Sequence, residues 1–286
     1  MEERLERLLE LGERLLAQLS HHPTTTFIDW SATAFRWQRQ AGGGSLHAIH
    51  HPLTLRLDDL QGIERQKTLL ERNTRQFVAG LPANNALLWG SRGTGKSSLV
   101  KALLNRHATE GLRLIEVERS ELVDLPQIVA LLRERPERFI LFCDDLSFET
   151  GDPGYKALKV VLDGSLDAPP DNVLIYATSN RRHLVPETMQ ENLEARVVDT
   201  EIHLGDALEE KISLSERFGL WLSFYPFNQE EYLGIVRHWL LQLGIEIFDD
   251  ETRTEALRWA QTRGTRSGRS AWQFARDLAG RKQLDK

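Results

Sequence analysis

The sequence predicts an α/β fold: a parallel five-stranded sheet sandwiched by helices, followed by a small helical domain. Three observations carry that expectation. From about residue 58, short apolar runs alternate with helical stretches. Runs such as Phe139–Cys143 and Val173–Ala177 are apolar at every position, so their strands bury both faces, as in a parallel sheet covered on two sides. After Pro226 the pattern is helical only.

Residues 2–19 place Leu5, Leu8, Leu9, Leu15, Leu16 and Leu19 at three- and four-residue intervals, an amphipathic helix. Trp30, Phe35 and Trp37 follow, and Gly42-Gly43-Gly44-Ser45 is expected to interrupt regular structure. Residues 1–50 therefore read as an N-terminal appendage and linker. The α/β domain is placed at 51–226. Its helices are expected at 62–79, 96–107, 125–135, 155–163 and 207–217. Its strands are Leu87–Trp89, Leu112–Val117, Phe139–Cys143, Val173–Ala177 and Leu220–Phe224. Residues 227–286 form the helical domain, with helices at 228–243, 250–262 and 269–281.

The 286 residues are 41% hydrophobic, 8% aromatic and 27% charged, a globular composition. The net charge of −6 is uneven: residues 251–286 hold nine Lys/Arg against four Asp/Glu, which leaves −11 for the first 250. A single cysteine, Cys143, excludes a disulfide framework and a cysteine-based zinc site. No run approaches the roughly 18 apolar residues needed to cross a bilayer. The charged N-terminus lacks a signal-peptide core, so a cytoplasmic protein without membrane contact is expected.

The strongest motif is Gly90-Ser91-Arg92-Gly93-Thr94-Gly95-Lys96-Ser97, followed by Ser98, which matches G-x-x-x-x-G-K-[ST] at every fixed position. It lies between a strand and a helix, where backbone N–H groups and the helix N-terminus converge on phosphate oxygens. Lys96 would reach the β- and γ-phosphates of a nucleotide, and the Ser97 hydroxyl would ligate Mg²⁺; the loop alone fits kinases, GTPases, helicases and transporters alike. The strand Phe139–Cys143 then ends in Asp144-Asp145. Asp144 would hold the metal shell beside Ser97, and Asp145 would polarise the attacking water. Read alone, an apolar strand ending in two carboxylates is a common strand end or cap; the phosphate loop some 50 residues earlier makes it a site. Asn180 closes another buried strand, as a γ-phosphate contact or a turn cap. Arg217 ends a helix just before the last strand, and Arg269, with Arg266 as the near alternative, opens the last helix. Each arginine read by itself is a solvated surface charge.

The ordered set GSRGTGKSS, FILFCDD, ATSN, SERFG and SGRSAWQF resembles the AAA+ ATPase superfamily. The extended strings NNALLWGSRGTGKSSLVKALLN, RFILFCDDLSFE, ATSNRRHL and ISLSERFGLWLSF are similar to a family of AAA+ proteins known only as ATP-binding or as a domain of unknown function. The resemblance spans about residues 25–280. It implies an αβα nucleotide domain with a helical lid, with Gly90, Gly95, Lys96 and Ser97 in the phosphate loop. It makes Asn180 the first sensor, Arg217 a finger directed at a neighbouring subunit's nucleotide, and Arg269 the second sensor. Leu60, Gly62 and Ile63 match the segment that borders adenine. One departure matters: the usual catalytic Glu is Asp145 here, a methylene shorter. Either the water is reached differently, Glu149 substitutes, or hydrolysis is slow and the protein acts as a switch.

The resemblance implies an ATP-hydrolysing remodeller of an unknown protein client, assembled as a homo-oligomer through Arg217. The alternative is a nucleotide-gated adaptor or loader. Threading of polypeptide is disfavoured because Glu118–Leu125, ERSELVDL, has no aromatic residue, although Tyr155 remains nearby. A small-molecule kinase lacks an acceptor site. The basic segment from Arg253 to Lys282 permits nucleic acid, whose binding would fall steeply with salt, but a nucleotide-facing lid with ordinary surface arginines is the expected reading. His47, His50 and His51 are expected in a loop rather than a metal site.

Overall fold

The computed structural model describes residues 28–40, 43–148, 152–164, 169–180, 196–198, 201–203 and 214–284. The amphipathic stretch 2–19, Glu149 and most of the helix expected at 207–217 lie outside the described residues. Strands β1 (Ala34–Gln40), β2 (Gly43–Ala48), β3 (Ala86–Gly90), β4 (Leu112–Glu116), β5 (Arg138–Cys143), β6 (Val173–Ser179) and β9 (Leu220–Phe224) form one sheet in the order β2-β1-β4-β5-β6-β3-β9. Two short strands, β7 (Arg196–Val198) and β8 (Glu201–His203), pair separately. The helices are α1 (Glu64–Val78), α2 (Lys96–His107), α3 (Leu125–Leu132), α4 (Pro153–Asp163), α5 (Gln229–Gln242), α6 (Asp250–Thr262) and α7 (Gly268–Leu284).

All five expected strands are present and mutually parallel. The sheet is wider than expected by a hairpin: β1 pairs parallel with β4, and β2 pairs antiparallel with β1. The Gly43–Ser45 run is thus a strand and not an interruption. Packing explains the glycine, since a Cβ on Gly44 would lie 1.8 Å from the indole of Trp37, its diagonal neighbour on the paired strand. Trp37 itself is buried, and its Nε1–H donates to Asp124 at 3.1 Å. His47 belongs to β2, where its ring meets the Ser45 hydroxyl at 2.9 Å, and no metal-binding cluster of three or more His, Cys, Asp or Glu occurs among the described residues.

Alternate strand residues feed two cores, as buried parallel strands require. Ala86, Leu88, Ile140, Phe142, Leu174 and Tyr176 face one side, against α1, α2 and the C-terminal helices. Leu87, Leu141, Cys143, Ile175 and Ala177 face the other, against α3 and α4. Cys143 is fully buried, and that burial pushes its thiol up to about 12, so it is a packing residue and no nucleophile. Phe227, Tyr232, Leu233 and Phe274 join the first core, which ties the helices after Pro226 to the sheet.

The C-terminal helices start where the sequence supplies caps. Asn228 and Glu231 form a reciprocal capping box at α5, and the Asp249 carboxylate accepts the Thr252 N–H at α6. Such caps contribute about 1 kcal/mol each. Among the described residues no helix is long and apolar enough to cross a membrane.

Candidate nucleotide site

Strands β3, β5 and β6 end on one cavity of about 810 Å³ that runs from the phosphate loop to the middle of α5 and the start of α7. At the end of β3 the chain turns through Ser91–Gly95 into α2, whose first residue is Lys96. Arg92, Gly93, Thr94, Gly95, Lys96, Ser97 and Ser98 all line the cavity, with Gly90 and Ser91 immediately behind. The Thr94 hydroxyl donates to the Ser91 carbonyl at 2.7 Å and closes the loop on itself.

Lys96 is 7% exposed, and its Nζ donates to the Gly90 and Ser91 carbonyls at 2.8 and 2.7 Å and to Asn180 Oδ1 at 3.3 Å. Burial pulls its ammonium pKa below the ordinary lysine value, while the carboxylates of Asp145 and Asp144 hold it up and Arg92 lowers it further. A buried cation held by carbonyl dipoles near its own carboxylates has the chemistry to exchange those partners for phosphate oxygens.

The acidic pair sits where the sequence placed it. Ser97 Oγ donates to Asp144 Oδ1 at 2.6 Å, which brings two hard oxygen atoms together across 47 residues. Asp145 is the one non-glycine residue with positive φ (+53°) among the described residues. This αL turn swings its carboxylate out of strand direction to meet the Asn180 amide, whose Nδ2 donates to Asp145 Oδ1. Lys96, Asn180 and Asp145 therefore form a continuous chain of contacts.

Thr178 is a residue that the sequence reading did not single out. It is 1% exposed, donates its hydroxyl to Asp144 Oδ1 at 2.6 Å and accepts the Asp145 N–H at 2.8 Å. One hydroxyl thus sets both carboxylates. The signal was present in ATSN, because Thr178 is on the strand next to Asp144, but register was needed to aim it. Thr178→Val keeps the volume, leaves the Asp145 N–H without its acceptor and removes one of the two hydroxyl donors to Asp144 Oδ1, at a cost of about 1–3 kcal/mol. On the expectation that Ser97 and Asp144 hold Mg²⁺ with ATP, the half-saturating Mg²⁺ concentration for ATP binding should rise about tenfold in Thr178→Val and return toward the parent value in Thr178→Ser. A Mg²⁺ titration that superimposes on the parent's would refute this positioning role.

The far end of the cavity is lined by Leu60 and Ile63 from the segment before α1, and by Phe227, Ile235, Trp239 and Trp272. Gly62 turns away with φ +77°, facing Phe227 instead. Trp239 and Trp272 stand with ring centroids 4.5 Å apart, an aromatic wall that the sequence did not reveal. They lie on separate helices, and only the packing of α5 against α7 brings them together.

Arg269 lines the cavity one residue after the start of α7, whereas Arg266 does not. Arg217 is not on the cavity. It follows helical residues 214–216, and its Nε donates to the Asp163 carboxylate at the end of α4. Several cations of the basic C-terminal segment have local partners: Arg253 pairs with Glu230, Arg281 with Glu255 and Asp277, and Arg263 lies over Trp259.

A phosphate loop after a central parallel strand, an acidic strand end separated from it by one further strand, and a helical cap on the same cavity define the P-loop class of AAA+ fold. The chain belongs to the family described as "Protein of unknown function (DUF815)", whose model matches residues 30–282. No curated protein matches the chain in sequence. The fold is similar to that of the Thermotoga maritima RuvB Holliday junction branch migration motor. That structure is 19% identical with a TM-score of 0.50, over 77% of this chain and 63% of that one. Two variants of the same RuvB are 17% and 18% identical, each with a TM-score of 0.51, covering 77% of this chain and 63% and 64% of theirs. The chain spans less than two thirds of the length of these structures.

Proposed function

We propose that this chain is an AAA+ ATPase that binds ATP with Mg²⁺ and uses its hydrolysis to drive conformational change in an unknown partner, in the cytoplasm. The observation that carries the reading is the Lys96–Asn180–Asp145 chain of contacts lying beside the Ser97–Asp144 pair. In it a buried cation, an amide, a candidate base and two metal-ligand oxygens face one cavity. Ser97 and Asp144 fit Mg²⁺, since both offer hard oxygen atoms at one point and no softer ligand set competes among the described residues. Bound there, the ion would neutralise phosphate charge. Lys96 would grip the β- and γ-phosphates, Asn180 would orient the water or γ-phosphate, and Asp145 would accept the proton. Glu149 remains the substitute base.

The proposed lid spans residues 227–286, and the nucleotide domain, expected at 51–226, takes in the β1–β2 hairpin ahead of residue 51 because that hairpin extends the same sheet, with Leu60, Ile63 and the tryptophan wall at the base end and Arg269 reaching the phosphates. Arg217 would serve a neighbouring copy, because its guanidinium lies away from the cavity of its own chain, beside Asp163. Phosphate release from Mg²⁺-ATP tests this. Specific activity is expected to rise with protein concentration, and Arg217→Ala is expected to lower turnover at least about tenfold without weakening ATP affinity. Activity independent of concentration would refute the intersubunit role.

A slower, switch-like cycle is the second reading. It is favoured by Asp145 being both a methylene shorter than Glu and already engaged by the Asn180 amide.

A further inference from the structure

The last helix rests directly on the phosphate loop. Ser267, 4% exposed, precedes α7, and its Oγ accepts the Ser270 N–H at 3.1 Å. The first N–H of a helix has no partner inside it. Here that N–H, on Gly268, donates to the Gly93 carbonyl at 2.8 Å. From the loop side, Gly93 has φ +74°, and a Cβ on it would come within 2.8 Å of the Ser267 Cβ. Gly93 occupies an unspecified position of G-x-x-x-x-G-K-S, so the motif does not itself call for glycine there. The positive φ and the close approach of Ser267 do.

We infer that Ser267 and Gly268 are positioning residues for the phosphate loop: the first N–H of α7 anchors the Gly93 carbonyl and so ties loop conformation to lid position. The inference rests on the reading of this loop as a phosphate site. Because the link is backbone to backbone, a loop shift on phosphate binding passes to α7 without an intervening side chain. Arg269, next in the chain, and Trp272, one turn further, move with it, so the cation and the aromatic wall are set by the same contact.

The test uses the full chain and ATP affinity. Proline is favoured at the first helical position, and Gly268 is not at positive φ, so Gly268→Pro leaves α7 intact while it removes the donor and sets a ring carbon against the Gly93 carbonyl, which breaks the contact. Far-UV circular dichroism and the thermal midpoint check that the helix persists. Gly268→Pro is expected to weaken ATP binding at least about tenfold, the scale of one lost buried hydrogen bond, because the Gly93 carbonyl must also move away from the proline ring. Gly268→Ala, which keeps the N–H, is expected to stay within about threefold of the parent. Equal losses in the two variants would overturn the inference, because they would report crowding rather than a missing donor. Gly93→Ala should weaken binding, and adding Ser267→Gly should recover part of the loss; no recovery counts against the contact. In the nucleotide-free chain the Gly268 amide should exchange slowly with solvent. Exchange at the rate of a free amide would remove the anchor whether or not the chain binds ATP, whereas a parent that binds no ATP but protects this amide would remove only the phosphate-site reading.

Discussion

Lys96→Ala is expected to weaken ATP binding by at least about 100-fold, measured by titration calorimetry or by quenching of the Trp239–Trp272 fluorescence. The size follows from what the ammonium does. Two or more charge-assisted hydrogen bonds to phosphate, each contributing about 1.5–3 kcal/mol, are lost together. No neighbouring cation replaces them, because Arg92 approaches from the exposed side of the loop and Arg269 from the lid. The variant is also expected to fold normally. In the nucleotide-free chain Nζ satisfies the carbonyls of Gly90 and Ser91, and carbonyls at a cavity wall can turn to water instead. Burial already disfavours the charged form of Lys96, so removing it relieves a desolvation cost as it removes the hydrogen bonds. Unchanged ATP affinity in a folded Lys96→Ala chain would remove the phosphate-loop reading.

Much of this site is readable from the chain alone, for a physical reason. Lys96, Ser97, Asp144 and Asn180 sit at strand ends or a helix start, where the residue's place in the element fixes the direction of its side chain. Two strands apolar at every position, Phe139–Cys143 and Val173–Ala177, leave no doubt about a covered parallel sheet, and the order of motifs does the rest. What escaped depends on contacts between distant segments. The Gly43–Ser45 run looks like a break because glycine carries no strand preference, yet Trp37 lies over Gly44 and needs the missing Cβ. The alternation Phe35, Trp37 against Arg36, Gln38 is a period-two signal that the glycines mask. Thr178 sits in a legible strand, but only register shows its hydroxyl between two carboxylates. Trp239 and Trp272 are 33 positions apart and meet only because α5 and α7 pack together. Pairing of Arg217 with Asp163 is likewise invisible in sequence, since nothing local links a helix end to a turn 54 residues later.

Asp145→Asn separates binding from chemistry, and turnover is expected to fall by about 100- to 1000-fold with ATP affinity within a few-fold of the parent. Loss of a general base removes a factor of about 100 to 10,000; the lower part of that range is expected because Asp is a short and partly engaged base here. Its carboxylate is exposed, its backbone is turned into the αL region, and one oxygen already accepts from Asn180. Asparagine retains the αL preference, so the turn survives the substitution. The amide cannot accept a proton from water, but it can still bond Asn180 after rotation, which leaves Lys96 and the Ser97–Asp144 pair in place. Single-turnover phosphate release with saturating Mg²⁺-ATP distinguishes the outcomes. A variant that turns over at the parent rate would take the base role from Asp145 and give it to Glu149, which Glu149→Gln would then abolish. A variant with parent affinity and no turnover would hold the ATP-bound state long enough to capture a client on it, because a partner that binds that state would then be released only by nucleotide dissociation.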